Sequence, residues 1–266
     1  MTLAFHTRWR FLLVGIVIGC CVAPSASALN VQRLEPAELE QLQAVLKALE
    51  PSITAKKQDG TANILTWEQL YEPLSAEQRS FLDAFRALRA ETLGATSHYF
   101  GEPKTALDLA PVGSQEIRNK DGSLKPLDPQ FLPRRAFEAY QRMMAAMQQD
   151  LGKHLLVESG YRAPAYQLYL FLYYLPNHDD SIIETNRFVA LPGYSEHGNP
   201  NRQAIDFINE AGINGEDHPE EFEALPEYAW LQQHAKEHGF ALSYPRNNTL
   251  NTSFEPWHWH FESSDK

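Results

Sequence analysis

The sequence predicts an α+β fold: a small antiparallel sheet with flanking helices, preceded by a helical N-terminal region. Three observations carry this. Apolar residues at helical spacing dominate the first part of the chain, short runs rich in β-branched and aromatic residues gather in the last part, and no repeat or heptad interrupts that order. Helices first and strands late describe a segregated α+β architecture rather than alternating βαβ units.

The first residues read as a leader. Arg8 and Arg10 precede the apolar run Phe11–Ala23, and Pro24-Ser25-Ala26-Ser27-Ala28 closes it on an Ala-x-Ala pattern, the layout of a secretory signal peptide. The run falls short of the roughly 20 apolar residues that a spanning helix needs. Residues 1–28 are therefore expected to be removed, leaving no integral membrane span in the mature chain and a periplasmic or extracellular location. Val17-Ile18-Gly19-Cys20 also resembles a lipobox, so a lipid anchor through Cys20 is the second reading. Cleavage after Ala28 would remove Cys20 and Cys21, the two cysteines of the chain, and with them any disulfide or thiol chemistry.

Two regions follow: helical and loop-rich over residues 29–130, better patterned over 131–266. Pro36–Leu49 sets Leu39, Leu42, Leu46 and Leu49 at helical spacing. Ser75-Ala76-Glu77-Gln78 is a capping box ahead of Phe81, Leu82, Phe85 and Leu88. Glu91–Pro129, broken by glycines and prolines, reads as a long surface excursion or linker with a turn at Asp121-Gly122. Pro133–Asp150 is a helix with Phe137, Tyr140, Met143, Met144 and Met147 on one side. A strand over Leu155–Val157, a helix over Ala163–Leu175, and strands over Phe188–Leu191 and Ala204–Ile208 come next. Pro226–His238 is a helix that Gly239 ends in a left-handed cap, before strands over Phe240–Tyr244 and Trp257–Phe261. The formal charge of −11 argues against general affinity for nucleic acid or for anionic lipid, both of which depend on clustered Lys and Arg.

Three clusters carry chemistry. In Trp257-His258-Trp259-His260 a strand turns both histidines to one face and both tryptophans to the other. Glu255 stands three residues earlier, across Pro256, where its carboxylate can converge on His258. Alone, that pattern reads more readily as one buried and one surface histidine. The second cluster, Ser195-Glu196-His197 leading through a polar loop to Ala204-Ile205-Asp206, changes the balance. Two imidazole nitrogens and one carboxylate oxygen make a tetrahedral zinc shell with one open position, and a neighbouring carboxylate, Glu255, can take the proton of an attacking water. The third is Ser159-Gly160-Tyr161-Arg162 after a strand. Arg162 offers a rigid donor fork to a substrate carboxylate, although an arginine there is ordinarily a surface residue or a structural ion pair.

Together these motifs, with Gln167, resemble the three signatures of the zinc D-alanyl-D-alanine carboxypeptidases, the vancomycin-resistance carboxypeptidase and dipeptidase group, over roughly Leu151–Glu262. The resemblance implies one zinc ion per chain on His197, Asp206 and His258, with Glu255 as catalytic base. It implies that Arg162 orients substrate or stabilises the oxyanion, with Ser195, Gln167 and Tyr161 around the substrate, and that the substrates are peptidoglycan stem peptides. One departure stands out. His197 and Asp206 are nine apart where the family spaces them seven apart, and Arg202 fills the family's glycine position. Two extra loop residues cost little entropy, so Asp206 is kept as a ligand, with Arg202 near the site. His260 stands where many relatives carry an arginine; sheet packing or solvent exposure is its expected role, and an alternative ligand or a pH-sensitive neighbour of the site is the second reading. His154, His178, His218, His234 and His238 lack ligand spacing.

The leading expectation is a D,D-carboxypeptidase that releases terminal D-Ala. An endopeptidase cutting elsewhere in the stem, for example between L-Ala and D-Glu, would use the same machinery. A non-catalytic cell-wall-peptide binding module would be expected to have lost the base or a ligand, and a metal-storage protein needs no carboxylate base. Nothing in the N-terminal region assigns a protein partner.

Overall fold

The computed structural model describes residues 29–94, 98–103, 108–199, 201–248 and 253–262; the leader and the Cys20 alternative lie outside them. No helix among the described residues is long and apolar enough to cross a membrane.

Helix α1 (Pro36–Gln58) starts on a capping box between Glu35 and Glu38 and buries Leu42, Val45, Leu49 and Ile53. It runs past the end expected from sequence because the apolar stripe continues to Ile53, and this burial outweighs the one hydrogen bond missing at Pro51. Helix α2 (Trp67–Tyr71) is capped by Thr66, and α3 (Ala76–Arg86) by the Ser75–Gln78 box. Phe81, Leu82 and Phe85 of α3 pack with the α1 stripe in one core.

The segment expected to be a linker instead forms three short strands, and a fourth follows it. β1 (Leu109–Pro111) pairs with β4 (Phe131–Pro133), and β2 (Glu116–Arg118) with β3 (Leu124–Pro126), both antiparallel. The turn foreseen at Asp121-Gly122 joins β2 to β3: Asp121 Oδ1 accepts from Ser123 N at 2.9 Å, and Gly122 takes φ 85°. The prolines are tolerated because these are two-stranded ribbons, in which every strand is an edge.

Helix α4 (Arg134–Leu151) buries Tyr140, Met143, Met144 and Met147, as its periodicity predicts. After β5 (Leu155–Ser159) comes α5 (Pro164–Tyr174), whose Leu168, Phe171 and Leu172 are buried in the core of α1 and α3. The short α6 (Ile182–Thr185) is followed by a turn, not by the strand expected at Phe188–Leu191. Thr185 O accepts from both Phe188 N and Val189 N, at 3.0 and 2.8 Å, so neither amide is free for a ladder. Phe188 stands exposed, stacked on His178 with ring centroids 4.6 Å apart.

Strand β6 (Arg202–Asn209), helices α7 (Pro219–Glu223) and α8 (Pro226–His234), and strands β7 (Phe240–Leu242) and β8 (His258–Glu262) complete the chain. A 3-10 turn extends α8 to His238, and Gly239 closes it at φ 82°. The main sheet is antiparallel in the order β5-β6-β8-β7. A second core joins α4 and α8 to Val157, Ile205, Phe207 and Trp259 of the sheet. The period of two along β6 and β8 sends Asp206, His258 and His260 to the opposite face, so the fold is α+β, as predicted.

Phe85 is fully buried and meets Phe171 of α5 edge-on, with centroids 6.4 Å apart. Phe85→Ala should therefore cost about 3–5 kcal/mol, read as a lower denaturation midpoint at constant slope. An unchanged midpoint would show that α3 and α5 do not share a core.

Candidate metal centre

The site grows from one cross-strand pair. Asp206 on β6 lies directly opposite His258 on β8, and Ala204 opposite His260. On the other side of β6, Asp206 faces Ser159, where β5 carries a bulge between Val157 and Ser159. Bulges re-aim the chain at sheet edges and next to sites, and this one leads into the Gly160–Ala163 loop. His197 is delivered by a separate device, a 3-10 turn over Glu196–Gly198 whose cap, Ser195 Oγ, accepts from His197 N at 3.3 Å.

Two hydrogen bonds, one backbone–backbone and one from the His197 ring, clamp that turn to the β5 loop. Arg162 N donates to His197 O at 3.0 Å. His197 Nδ1 lies 2.8 Å from Gly160 O, which can only accept, so the proton is on Nδ1. This leaves the lone pair on Nε2, buried and without a hydrogen-bond partner, 3.1 Å from Asp206 Oδ2. Two electron-rich atoms facing each other in a buried site call for a cation between them. His258 Nδ1 lies 2.7 Å from Asp206 Oδ1, and one ligand atom from each of His197, Asp206 and His258 falls within 4.8 Å of the others. Two imidazoles and a carboxylate, with a buried lone pair unsatisfied, fit a zinc ion and leave a fourth position open.

Glu255 reaches the group through a turn. His258 N donates to Glu255 O at 3.2 Å and Trp259 Nε1 to Pro256 O at 2.8 Å, folding the segment back on β8. Glu255 Oε2 then lies 3.9 Å from His258 Nδ1. Burial pushes its carboxyl up to about 7, against the opposing charge of His258. Burial and the Arg162 charge bring His197 down to about 4. Burial also opposes the charge on His258, but the Asp206 charge and hydrogen bond, with a hydrogen bond to Glu196, carry it up to about 10. Asp206 is held well below the usual carboxylate range because the two histidines outweigh its burial.

Glu196, to which the sequence reading gave no role, holds the outer side of His258. Its Oε2 lies 3.0 Å from His258 Nε2 and accepts from Ser243 Oγ at 2.5 Å, while Oε1 accepts from Arg202 Nε at 2.6 Å. With Nε2 committed to Glu196, His258 presents Nδ1 to the site. The sequence offered only its place between Ser195 and His197; its burial, with the whole of 191–197, belongs to the fold. Arg202 also bonds Glu262 Oε1 at 2.7 Å, so it braces the sheet edge near the site. His260 is buried beside Ser243 Oγ, at 2.7 Å, and lies outside the ligand group. Tyr244, also without a role in the sequence reading, packs its ring 4.9 Å from that of His258.

The remaining predicted residues frame the site at more distance. Arg162 lines a cleft beside it, and its Nε is buried without a partner. Tyr161 is buried, with its N–H on Phe131 O at 2.7 Å. Gln167 spends its amide on Ala190 O at 2.8 Å, which ties α5 to the loop ahead of Ser195.

A family model described as VanY, D-alanyl-D-alanine carboxypeptidase, matches residues 129–264, a segment that contains every residue of the site. Over 139 residues the chain is 28% identical to "Putative carboxypeptidase YodJ" of Bacillus subtilis (strain 168), covering 50% of this chain and 46% of that protein. The chain thus spans about half the length of the curated relative it matches. Among solved structures it is similar to the LdcB LD-carboxypeptidase, at 23% identity and TM-score 0.45, over 65% of this chain and 77% of that one. It is also similar to VanYB in complex with D-Alanine-D-Alanine, at 21% identity and TM-score 0.42, over 60% and 80%.

In the chain stripped of metal, His258 binds its proton more tightly than an unfolded imidazole does, near 10 against 6.5. The stability this contributes is complete below about pH 6.5 and is lost as the pH rises through about 10. Denaturant melts at intervals across that window should show the stripped chain weakening, and His258→Gln should flatten the profile. A parent profile that strengthens over the same window would contradict the assignment.

Proposed function

The chain belongs to the VanY family of D-alanyl-D-alanine carboxypeptidases, and on that basis we propose that it is a zinc peptidase that releases the terminal D-Ala of peptidoglycan stem peptides. The observation that carries the zinc assignment is the buried lone pair of His197 Nε2, which faces the Asp206 carboxylate with no proton between them. In this reading His197 Nε2, Asp206 and His258 Nδ1 hold one ion, which supplies Lewis acidity and acidifies a water.

The chain's own residues do the rest. Glu255 takes the proton of the attacking water and returns it to the departing amine. A carboxyl raised to about 7 is suited to both transfers near neutral pH. Arg162 offers guanidinium donors to the peptide's terminal carboxylate or to the oxyanion that forms at the scissile carbonyl. Ser195, Gln167 and Tyr161 hold the turn and the loops that border the substrate. The catalytic unit is assigned to residues 131–266, acting in the periplasm or outside the cell once residues 1–28 are gone.

Purified chain should carry about one zinc and release D-Ala from a synthetic stem pentapeptide. Glu255→Gln should keep the zinc and lower kcat by at least about a hundredfold, and Asp206→Ala should lose the metal. Zinc bound without D-Ala release would move the cut to another bond of the stem. A chain that takes up no zinc would remove the reading altogether.

A further inference from the structure

Arg202 and His260 meet the same two carboxylates. Arg202 Nε donates to Glu196 Oε1 at 2.6 Å and its Nη1 to Glu262 Oε1 at 2.7 Å. His260 has Nδ1 3.9 Å from Glu196 Oε2 and Nε2 3.1 Å from Glu262 Oε1. The sheet register explains the coincidence. Arg202 pairs with Glu262 across β6 and β8, and Ala204 with His260, so positions 202 and 260 are diagonal neighbours on one face.

The two carboxylates differ in what they need. Glu262 is exposed, and water can satisfy it. Glu196 is 4% exposed, and a carboxylate so buried needs a partner on each oxygen. Its Oε2 has His258 Nε2 at 3.0 Å and Ser243 Oγ at 2.5 Å, and its Oε1 has Arg202. A guanidinium is planar and permanently charged, so it fixes the rotation of the carboxylate as well as neutralising it. That rotation decides whether Oε2 stays on the outer nitrogen of His258 or swings away. An acceptor held behind a ligating imidazole orients the ring and raises its basicity.

We propose that Arg202 is a positioning residue for the metal centre, acting through Glu196 on His258, and that position 260 is a second place from which an arginine can do the same. The inference rests on the zinc reading above and extends it to a side chain outside the ligand group. It also gives the long loop between His197 and Asp206 a use, since the loop delivers its cation at the first residue of β6.

The test measures the zinc dissociation constant of the stripped and reloaded chain by competition with a chromophoric chelator, beside kcat and KM for D-Ala release. Arg202→Ala should weaken zinc binding by about tenfold to a hundredfold and leave KM in place, because its guanidinium is spent on Glu196 and Glu262. Arg202→Lys, which keeps a cation beside Oε1, should recover part of the loss, and Arg202→Ala/His260→Arg most of it. Glu262→Gln, which alters the outer contact alone, should bind zinc as the parent does. Behind Glu196→Ala, the further change Arg202→Ala should cost nothing more, as for two residues that act as one unit. Parent-like zinc binding by Arg202→Ala overturns the proposal. So does a loss that Glu262→Gln reproduces, or one that persists in full behind Glu196→Ala, since either makes Arg202 a brace of the sheet edge alone. Arg202→Lys and Glu262→Gln, the mildest changes, decide the matter if a double variant fails to fold. Zinc bound without D-Ala release, with the same pattern of affinities, sustains the proposal and refutes the carboxypeptidase reading. A parent that takes up no zinc refutes both.

Discussion

One electrostatic conflict organises the structure: a carboxylate and two imidazoles share a buried space in which their lone pairs converge within 4.8 Å. Such a group is stable only with positive charge inside it. In the chain by itself a proton on His258 supplies it, as the shift of that residue to about 10 expresses. His197 cannot contribute, because its one ring proton sits on Nδ1, donated to Gly160 O, and burial keeps the ring neutral. The asymmetry between the two histidines is the useful part. One ring is fixed in the tautomer that leaves its Nε2 lone pair free, and the other holds a proton that a bound metal would displace, so metal uptake would be linked to pH.

Holding that conflict takes an outer layer, and Glu196 is its centre. A carboxylate so buried would ordinarily be driven toward neutrality. The hydrogen bond and charge of His258, the charge of His260 and the Ser243 hydroxyl outweigh burial and keep it ionised below its usual range. Arg202 completes the layer with a short contact to Glu196 and another to Glu262. This accounts for the long spacing between His197 and Asp206. His197 and Asp206 are fixed at the two ends of the loop, one by the 3-10 turn and the Gly160 clamp, the other by pairing with β8. Extra residues between fixed ends leave the positions of the two side chains unchanged, and Arg202, at the start of β6, braces the sheet.

The legible parts of the sequence were those set by local periodicity. The Ser75 box, the methionine stripe of α4, the cap at Gly239 and the facing of His258 away from Trp259 follow from repeats of 3.6 or 2 residues and from capping chemistry. The parts that were not legible depend on distant partners. Helix α1 passes Pro51 because Ile53 finds a core that is built largely elsewhere in the chain. Phe188–Leu191 has strand-forming residues, yet Thr185 O captures its first two amides. The residues around 109–126 look like a linker because each strand has only three residues, and pairing, not pattern, makes them strands. The chemistry of the motifs pointed to His197, Asp206 and His258, which the fold brings together, whereas the role of Glu196 depended on the second nitrogen of His258, which only the assembled fold reveals.

The same dependence extends to the N-terminal helices, which are mechanically continuous with the site. Leu42, Leu49 and Phe85 share a core with Leu168, Phe171 and Leu172 of α5, so the position of α5 is set from outside the family segment. The start of α5 is tied in turn by Ala163 N to Asn63 O at 2.8 Å, and the residue before Ala163 is Arg162, whose own N–H holds His197 O. Three consecutive links thus run from a core of about the first sixty described residues to His197. Gly160 closes the chain of contacts: a Cβ there would lie 2.5 Å from Phe131 O, so β4 packs against the backbone that fixes the tautomer of His197. A loosened helical region would therefore reach the centre as a shift of Arg162 and of the His197 turn, long before the sheet itself gave way.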